Sequence, residues 1–150
     1  MIFRGTFEHS LDAKHRLTVP ARFREAFANG VVLAKSPEAK LGAPRSIALW
    51  RSEDYDTYVT AALGGRNPIS PEAQELSLIL YGNCHDTELD SAYRVMIPAD
   101  MLRYAGVDKE VVVTGMGNRL QVWDRTAHAA YNESALSRFT EITASLGHTA

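Results

Sequence analysis

The sequence has a single cysteine, Cys84, among its 150 residues. One cysteine cannot form an intramolecular disulfide, which favours a reducing cytoplasm. The five histidines are scattered, and His85 directly follows Cys84 instead of standing at the spacing of zinc ligands. The sequence therefore predicts no metal site, and no pattern in it indicates a cofactor.

Long apolar runs are also missing. The strongly apolar stretches span only a few residues, whereas a helix that crosses a membrane needs about 20. The opening segment MIFRGTFEHS has neither the apolar stretch nor the cleavage site of a signal peptide. We therefore expect a cytoplasmic protein without a membrane partner.

Recognisable catalytic motifs are absent as well. No glycine-rich phosphate loop precedes a helix, and no G-x-S-x-G elbow occurs. The pairs His85-Asp86 and Asp90-Ser91 are neighbours in sequence, which does not make a catalytic triad. We expect that the protein is not an enzyme, because an enzyme would need an ordered metal or a deep polar pocket that nothing here suggests.

An overall positive charge is lacking, since the formal net charge is −2. That value argues against a nucleic-acid partner, but the charge is unevenly distributed. The first 24 residues hold five basic side chains against two acidic ones, a net charge of +3; the basic ones are Arg4, Lys14, Arg16, Arg22 and Arg24. A basic segment on a mildly acidic body can still form a positive face, particularly when several copies assemble.

The sequence does contain an internal repeat. The segment LDAKHRLTVPARFR at 11–24 returns as LDSAYRVMIPADML at 89–102, and five positions are identical in the two copies: Leu11/Leu89, Asp12/Asp90, Arg16/Arg94, Pro20/Pro98 and Ala21/Ala99. A second pair, LWRSEDYDTY and VWDRTAHAAY, aligns Trp50 with Trp123 and Tyr58 with Tyr131. Such self-similarity is typical of one structural unit used twice, so we infer a tandem duplication.

The repeat predicts a division into residues 1–66, a first unit, residues 67–131, a second unit, and residues 132–150, a C-terminal helical tail. Two units of this size would each be marginally stable alone, so we expect a shared core or stabilisation by oligomerisation. The tail is predicted from the helical spacing of Leu136, Phe139, Ile142 and Leu146.

Each unit is expected to begin with a strand, a turn and a returning strand. In the first unit, alternation over Phe3–Glu8 predicts one strand and Arg16–Val19 the strand that returns as a hairpin. Side-chain alternation turns Leu17 inward and Arg16 outward, and the same parity applies to Val95 and Arg94. Both arginines are therefore predicted at the turn end of a hairpin, on its non-core side.

The remaining elements follow from caps and periodicity. Pro20 and Pro98 suit the first position of short helices over Ala21–Phe27 and Ala99–Ala105, the second closed by Gly106. Ser52, Ser70-Pro71 and Asp124 mark further helix starts, and strands are expected over Val31–Ala34, Ile47–Trp50, Asn83–Thr87, Val111–Gly115 and Arg119–Trp123. We expect the tryptophans, Tyr55, Tyr58, Tyr131, Phe3, Phe7, Phe23 and Phe27 to pack in cores or interfaces.

Taken in order, these motifs resemble the bacterial MraZ family. The likeness rests on the FRG start, the two D-x-x-x-R loops, P-A-x-F-R, and YAGVDKEVVVTGMGNRLQVWD, and it covers roughly residues 2–131. The resemblance implies a strand-rich α+β fold of two tandem AbrB/SpoVT-like units, of the swapped-hairpin type, forming a pseudo-dimer in one chain. It also implies ring-like homo-oligomers associated with the nucleoid. Their role would be sequence-specific transcriptional regulation of the division and cell-wall gene cluster, on repeated G-rich promoter boxes.

The resemblance further implies that Lys14 and Arg16 of the first loop, and Arg94 of the second, contact DNA. The family usually has glycine before each arginine, where this chain has His15 and Tyr93. Either the loops use ordinary φ values or they tolerate the strain of a positive φ. Ala92 stands where the first loop has Lys14, which makes the second loop the poorer phosphate binder.

Arginine can read guanine in the major groove through its O6 and N7 atoms, whereas lysine positions the protein on phosphate. Arg4, Arg22 and Arg24 would be solvated charges or flanking phosphate contacts, and His15 either a phosphate donor or a mere replacement of glycine. Alternatively, Asp12 and Asp90 only close the loops by pairing with the arginines. A separate competing hypothesis is an AbrB-type antitoxin-like or structural interaction module whose main partner is a protein.

Overall fold

The structure is a computed structural model and describes residues 1–147, which form eight strands and five α-helices. The strands are β1 (Thr6–Ser10), β2 (Arg16–Thr18), β3 (Val31–Ser36), β4 (Ser46–Trp50), β5 (His85–Thr87), β6 (Arg94–Met96), β7 (Glu110–Gly115) and β8 (Leu120–Asp124). The helices are α1 (Ser52–Leu63), α2 (Pro71–Leu80), α3 (Ala99–Ala105), α4 (Arg125–Ser137) and α5 (Phe139–Gly147).

The two halves of the chain exchange strands. Six strands form an antiparallel sheet in the order β1-β7-β8-β4-β3-β5, and β2 pairs with β6 in a separate two-stranded ribbon. Phe7 lies opposite Val113 in the sheet, and Leu17 lies opposite Val95 in the ribbon. This strand-rich α+β arrangement confirms two tandem units that form a pseudo-dimer within one chain.

The predicted local hairpin is wrong in its pairing. The turn between β1 and β2 closes, since Asp12 N–H donates to the carbonyl of Arg16 at 3.1 Å, but β1 pairs with β7 and β2 with β6. Alternation of apolar and polar side chains determines which face of a strand is buried and does not specify the partner strand. The swapped arrangement therefore could not follow from that pattern alone.

The ribbon covers one face of the large sheet and encloses the main core. Leu17 and Val95 are fully buried there, together with the inward-facing valines, leucines and isoleucines of β3, β4, β7 and β8. Phe3 packs against Phe27 and Phe23 with ring centroids 5.4 and 5.3 Å apart, which confirms the predicted core role of these rings. This packing gives the ribbon a rigid support for its outer face.

Helices cover the other face of the sheet. Val32 and Trp50 of the sheet pack there against Tyr55 and Val59 of α1 and Leu80 of α2. The Tyr55 hydroxyl donates to the Leu80 carbonyl at 2.5 Å, so one buried hydrogen bond ties α1 to α2. The repeat-related aromatic pairs do pack as predicted, with Tyr58 4.7 Å from Trp50 and Tyr131 6.0 Å from Trp123 between ring centroids.

Several helix ends agree with their predicted caps. The Ser70 hydroxyl accepts from Ala73 N–H, the Asp124 carboxylate accepts from Ala127 N–H, and Gly106 is left-handed at φ 64°. Three predictions are corrected. Pro20 and Pro98 precede their helices instead of starting them, because their extended ψ values continue the strands. Residues 21–27 form two 3-10 turns and not one short helix. The residue that precedes α1 is Arg51, and Ser52 is the first residue of the helix.

The predicted C-terminal helix is present but interrupted, because α4 ends before Arg138 and α5 begins at Phe139. Leu136, Phe139 and Ile142 are exposed on this segment. Residues 148–150 of the predicted tail lie outside the described residues, and the division at 66/67 and 131/132 stays a prediction. Within residues 1–147, every helix is too short or too polar to cross a membrane.

Candidate nucleic-acid interface

An aspartate organises the loop that precedes β2. Oδ1 of Asp12 accepts the backbone N–H groups of Lys14 and Arg16, each at 2.9 Å. Oδ2 of the same carboxylate accepts Nε–H of Arg16 at 2.6 Å. The D-x-x-x-R spacing thus lets one carboxylate hold both the loop backbone and the arginine side chain, an arrangement that we call the aspartate clamp.

The loop that precedes β6 repeats the aspartate clamp. Oδ1 of Asp90 accepts the N–H groups of Ala92 and Arg94 at 2.9 Å, and Oδ2 accepts Nε–H of Arg94 at 2.9 Å. The two loops therefore have the same hydrogen-bond pattern although only aspartate and arginine are identical between them. The pattern depends on those two side chains and on backbone groups, which explains why the intervening residues can differ.

Both loops contain a left-handed residue directly before the arginine. His15 has φ 59° and Tyr93 has φ 61°, values that side chains other than glycine adopt at a cost. Each N–H closes a turn by donating to the carbonyl of the clamp aspartate at 2.9 Å. Of the two alternatives, ordinary φ values or tolerated strain, the structure has the second, and the aspartate clamp holds the strained turn in place.

The clamp carboxylates remain ionised at neutral pH. The pKa of Asp12 is lowered chiefly by the Arg16 N–H, with further contributions from the Arg16 side chain and the Lys14 N–H, against an opposing effect of burial. The pKa of Asp90 is lowered in the same way, chiefly by the Arg94 N–H and further by the Arg94 side chain and the Ala92 N–H, again against an opposing effect of burial. Each arginine is therefore balanced by a carboxylate, and an isolated loop attracts an anion through directed donors more than through net charge.

The two arginines share the exposed face of the ribbon. Arg16 lies opposite Met96, and Arg94 lies opposite Thr18, while the central pair of Leu17 and Val95 faces the core. The predicted inside-outside parity is thus confirmed. Side chains related in this way are diagonal neighbours, about 7–8 Å apart at their backbones.

Hydrogen bonds between the halves fasten each loop to the opposite strand. Val19 N–H donates to the Tyr93 carbonyl at 3.0 Å, and Ile97 N–H donates to the His15 carbonyl at 3.0 Å. These two bonds extend the ribbon ladder at both ends and are related by the approximate two-fold symmetry of the repeat. The relative position of the two arginines is therefore set by backbone pairing.

The guanidinium groups keep donors available. Their side chains are 25% and 32% exposed for Arg16 and Arg94, which places them at the surface and not in the core. Only Nε of each is engaged by a carboxylate, and within residues 1–147 the terminal nitrogens donate no hydrogen bond. Two parallel N–H donors on a fixed plane suit a bidentate acceptor.

The structure groups most, but not all, of the basic residues proposed from the sequence. Lys14 is exposed in the first loop. Arg24 donates from Nε to the Val19 carbonyl at 3.1 Å, and Arg22 is exposed beside Phe23. Arg4 is exposed before β1, at the end of that strand remote from the loop, so it does not join the ribbon face.

Sequence reasoning missed one contact at this site. The guanidinium of Arg24 lies 4.6 Å from the ring centroid of Tyr93, although the two residues belong to different halves of the chain. No local spacing could have indicated this contact, because it depends on the strand exchange. The contact could have been predicted only by assuming that the two repeat units exchange strands and then placing Arg24 beside the loop of the other unit.

Among residues 1–147, no group of three or more His, Cys, Asp or Glu side chains is placed to hold a metal ion. Cys84 is partly buried, and burial raises the pKa of its thiol. The donors at the ribbon face are instead cationic and suit anionic or guanine-like acceptors.

Fold and site together define a tandem AbrB/SpoVT-like protein that presents two clamped arginines on one ribbon face. A family model described as "MraZ protein, putative antitoxin-like" matches residues 2–67 and 80–147. The chain belongs to the MraZ family.

Curated relatives match over nearly the full chain. The transcriptional regulator MraZ of Mycoplasmoides gallisepticum is 30% identical over 145 residues, covering 97% of each chain. The protein of the same name from Symbiobacterium thermophilum is 31% identical and covers 95% of this chain and 99% of its own. A third, from Thiobacillus denitrificans, is 32% identical over 91% of this chain and 90% of its own. These relatives are named as regulators and not as enzymes.

Proposed function

We propose that this protein is a cytoplasmic, nucleoid-associated transcriptional regulator that binds double-stranded DNA sequence-specifically. The observation that carries the proposal is the pair of clamped arginines, Arg16 and Arg94, on one exposed ribbon face. The regulatory names of the relatives support transcription as the process.

The geometry suits direct reading of guanine. A two-stranded β-ribbon fits the major groove, where guanine offers O6 and N7 as paired acceptors. Each clamp fixes Nε of the arginine and so leaves the terminal nitrogens as a fork for such a pair. A side chain held in place before binding loses less conformational entropy on binding than a free one. Arg16 and Arg94 would therefore specify guanines, and Lys14 would hold a phosphate.

Single loops of this kind would bind weakly, because each clamp carboxylate offsets the charge of its arginine. Several loops acting together on repeated boxes would bind strongly through effective concentration. This argument supports a homo-oligomer, in ring form as the family resemblance implies, acting on repeated G-rich promoter boxes. The same resemblance supports the division and cell-wall gene cluster as the target.

The experiment measures binding of labelled duplexes, one with repeated G-rich boxes and one of shuffled sequence, by fluorescence anisotropy. R16A should reduce the preference for G-rich duplex roughly ten- to a hundredfold while leaving the oligomer mass unchanged. R66A is the matched control, since Arg66 is exposed in the segment that links α1 to α2. Wild-type affinity and preference in R16A would exclude Arg16 as a reader.

The same titration tests the competing hypothesis. Equal and feeble binding of the wild-type protein to both duplexes would favour an antitoxin-like or structural module whose main partner is a protein. A strong preference for the G-rich duplex that falls steeply with salt would favour the regulator, because neutralised phosphates release counterions.

A further inference from the structure

The second loop lacks a cation of its own at the position where the first loop has one. The repeat aligns Ala92 with Lys14, so a phosphate beside the second loop would find no lysine there. The strand exchange, however, brings Arg24 of the first half against Tyr93 of this loop. A basic group is thus present at the second loop after all, supplied from the other half of the chain.

Two contacts fix Arg24 in this place. Its guanidinium carbon lies 4.6 Å from the Tyr93 ring centroid, within the range of a cation–π interaction, and its Nε donates to the Val19 carbonyl at 3.1 Å. Val19 in turn donates its N–H to the Tyr93 carbonyl at 3.0 Å. Arginine, tyrosine and strand therefore form one connected unit at the end of the ribbon.

The terminal guanidinium donors of Arg24 are not paired with a carboxylate. Within residues 1–147 Arg24 forms no ion pair, and its terminal nitrogens donate no hydrogen bond. The adjoining recess is lined by Arg24 and Tyr93 and also by Glu25, Glu88 and Asp90. Asp90 is engaged by Arg94, and the two exposed glutamates do not approach Arg24 within ion-pair distance. An anion bound to the guanidinium would accept hydrogen bonds from these terminal nitrogens.

Tyr93 is itself oriented toward solvent. The residue is 47% exposed while its backbone is held in the left-handed region by the clamp turn. The phenol O–H can donate a hydrogen bond, and the ring fixes the plane of the guanidinium next to it. Both groups suit the oxygens of a phosphate, which arginine binds through parallel N–H donors.

We propose that Arg24 and Tyr93 form a composite subsite for a backbone phosphate of duplex DNA beside the second loop. This proposal rests on the proposed function and adds a contact that the second loop cannot make alone. The equivalent residues at the first loop are Leu102, which is buried, and His15, so the first loop relies on Lys14. Each loop thus has one arginine that contacts a base and one cation that binds a phosphate. In the first loop this cation belongs to the loop itself, and in the second loop it comes from the other half of the chain.

The test is the salt dependence of binding to a G-rich duplex. Each phosphate contact contributes about 0.9 to the slope of log affinity against log salt concentration. R24L gives position 24 the leucine that stands at the equivalent position 102 of the repeat. This variant should lower the slope by about 0.9 per engaged chain, as K14A should. Between about 50 and 200 mM salt, the affinity of either variant should fall roughly threefold less than that of the wild type.

The controls separate this proposal from the broader one. R66A removes an exposed charge in the segment that links α1 to α2, which is not part of the ribbon face, and it should keep the wild-type slope. Y93G removes the ring while glycine accepts the positive φ, so it should fold and should lower affinity and slope. If R24L and Y93G keep the wild-type slope while K14A lowers it, the subsite does not exist. If the wild-type protein shows no DNA binding, the proposed function itself fails.

Discussion

Arg16 and Arg94 are diagonal neighbours across the β2–β6 ribbon, each clamped by the aspartate four residues before it. Their backbones are about 7–8 Å apart, close to the rise of two base-pair steps. The pair therefore has the spacing to address two nearby positions of one site through two independent forks.

The first prediction concerns this division of labour. R16A should relax base preference at one position of a bound box, and R94A should relax it at another, with each substitution costing roughly ten- to a hundredfold in discrimination. Affinity for a panel of duplexes with single base-pair changes measures both effects. Relaxation of the same base pair by both variants would contradict independent reading.

A second prediction addresses the clamp. In D12N the amide oxygen can still accept from the loop N–H groups, but the amide NH2 would face Nε–H of Arg16, donor against donor. Arg16 is then released and the protein gains positive charge, so affinity for shuffled duplex should rise while preference for G-rich duplex falls roughly tenfold. D90N is the matched variant in the second loop. An unchanged preference in both variants would show that the clamps do not orient the arginines.

A third prediction follows from the lowered pKa values of Asp12 and Asp90. A carboxyl group whose pKa is lowered by folding stabilises the native state above its unfolded pKa, near 3.8, and loses that contribution as the pH falls through the lower folded value. The double variant D12N/D90N should therefore show a weaker loss of stability as the pH falls below about 4. Carboxyl carbon shifts in an NMR titration give the two pKa values directly, and ordinary values would contradict the aspartate clamp.

A fourth prediction concerns strain at His15. Glycine adopts φ 59° without the steric cost that histidine bears, although it also increases the entropy of the unfolded chain. H15G should therefore raise the free energy of unfolding by about 0.5–1 kcal/mol. Chemical denaturation measures the change against the wild-type protein. Destabilisation by H15G would mean that the histidine ring contributes to folding.

A fifth prediction tests the bond between α1 and α2. Burial raises the pKa of Tyr55 well above its ordinary value, so its hydroxyl stays protonated and donates to Leu80. Y55F leaves that buried carbonyl without its donor and should lower the free energy of unfolding by about 1–3 kcal/mol. Y58F is the control, because Tyr58 is 37% exposed and its hydroxyl makes no hydrogen bond within residues 1–147. Equal losses of unfolding free energy in Y55F and Y58F would show that the hydrogen bond from Tyr55 to Leu80 does not stabilise the fold.

Much of the fold follows from local pattern. The repeat, the alternation around Leu17 and Val95, and the caps at Ser70, Asp124 and Gly106 all agree with the structure. Strand partners could not be predicted from alternation, since β1 alternates in the same way whether it pairs with β2 or β7. The order of strands is a long-range property that only the complete core determines.

The site could be predicted in part for a similar reason. D-x-x-x-R spacing marks a loop in which one carboxylate can reach both backbone and arginine, and the structure has this geometry twice. The left-handed turn at His15 and Tyr93 depends on the loop closure, so residue type alone left two alternatives open. Arg24 beside Tyr93 required knowledge of how the halves meet.

The exchange of strands has a consequence for synthesis on the ribosome. Ser10 pairs with Glu110, and Leu17 pairs with Val95, so the earliest strands emerge long before their partners exist. Contacts between such distant residues slow folding and leave unpaired strand edges exposed in the meantime. The nascent chain must therefore keep its first strands out of intermolecular pairing until β7 has left the exit tunnel.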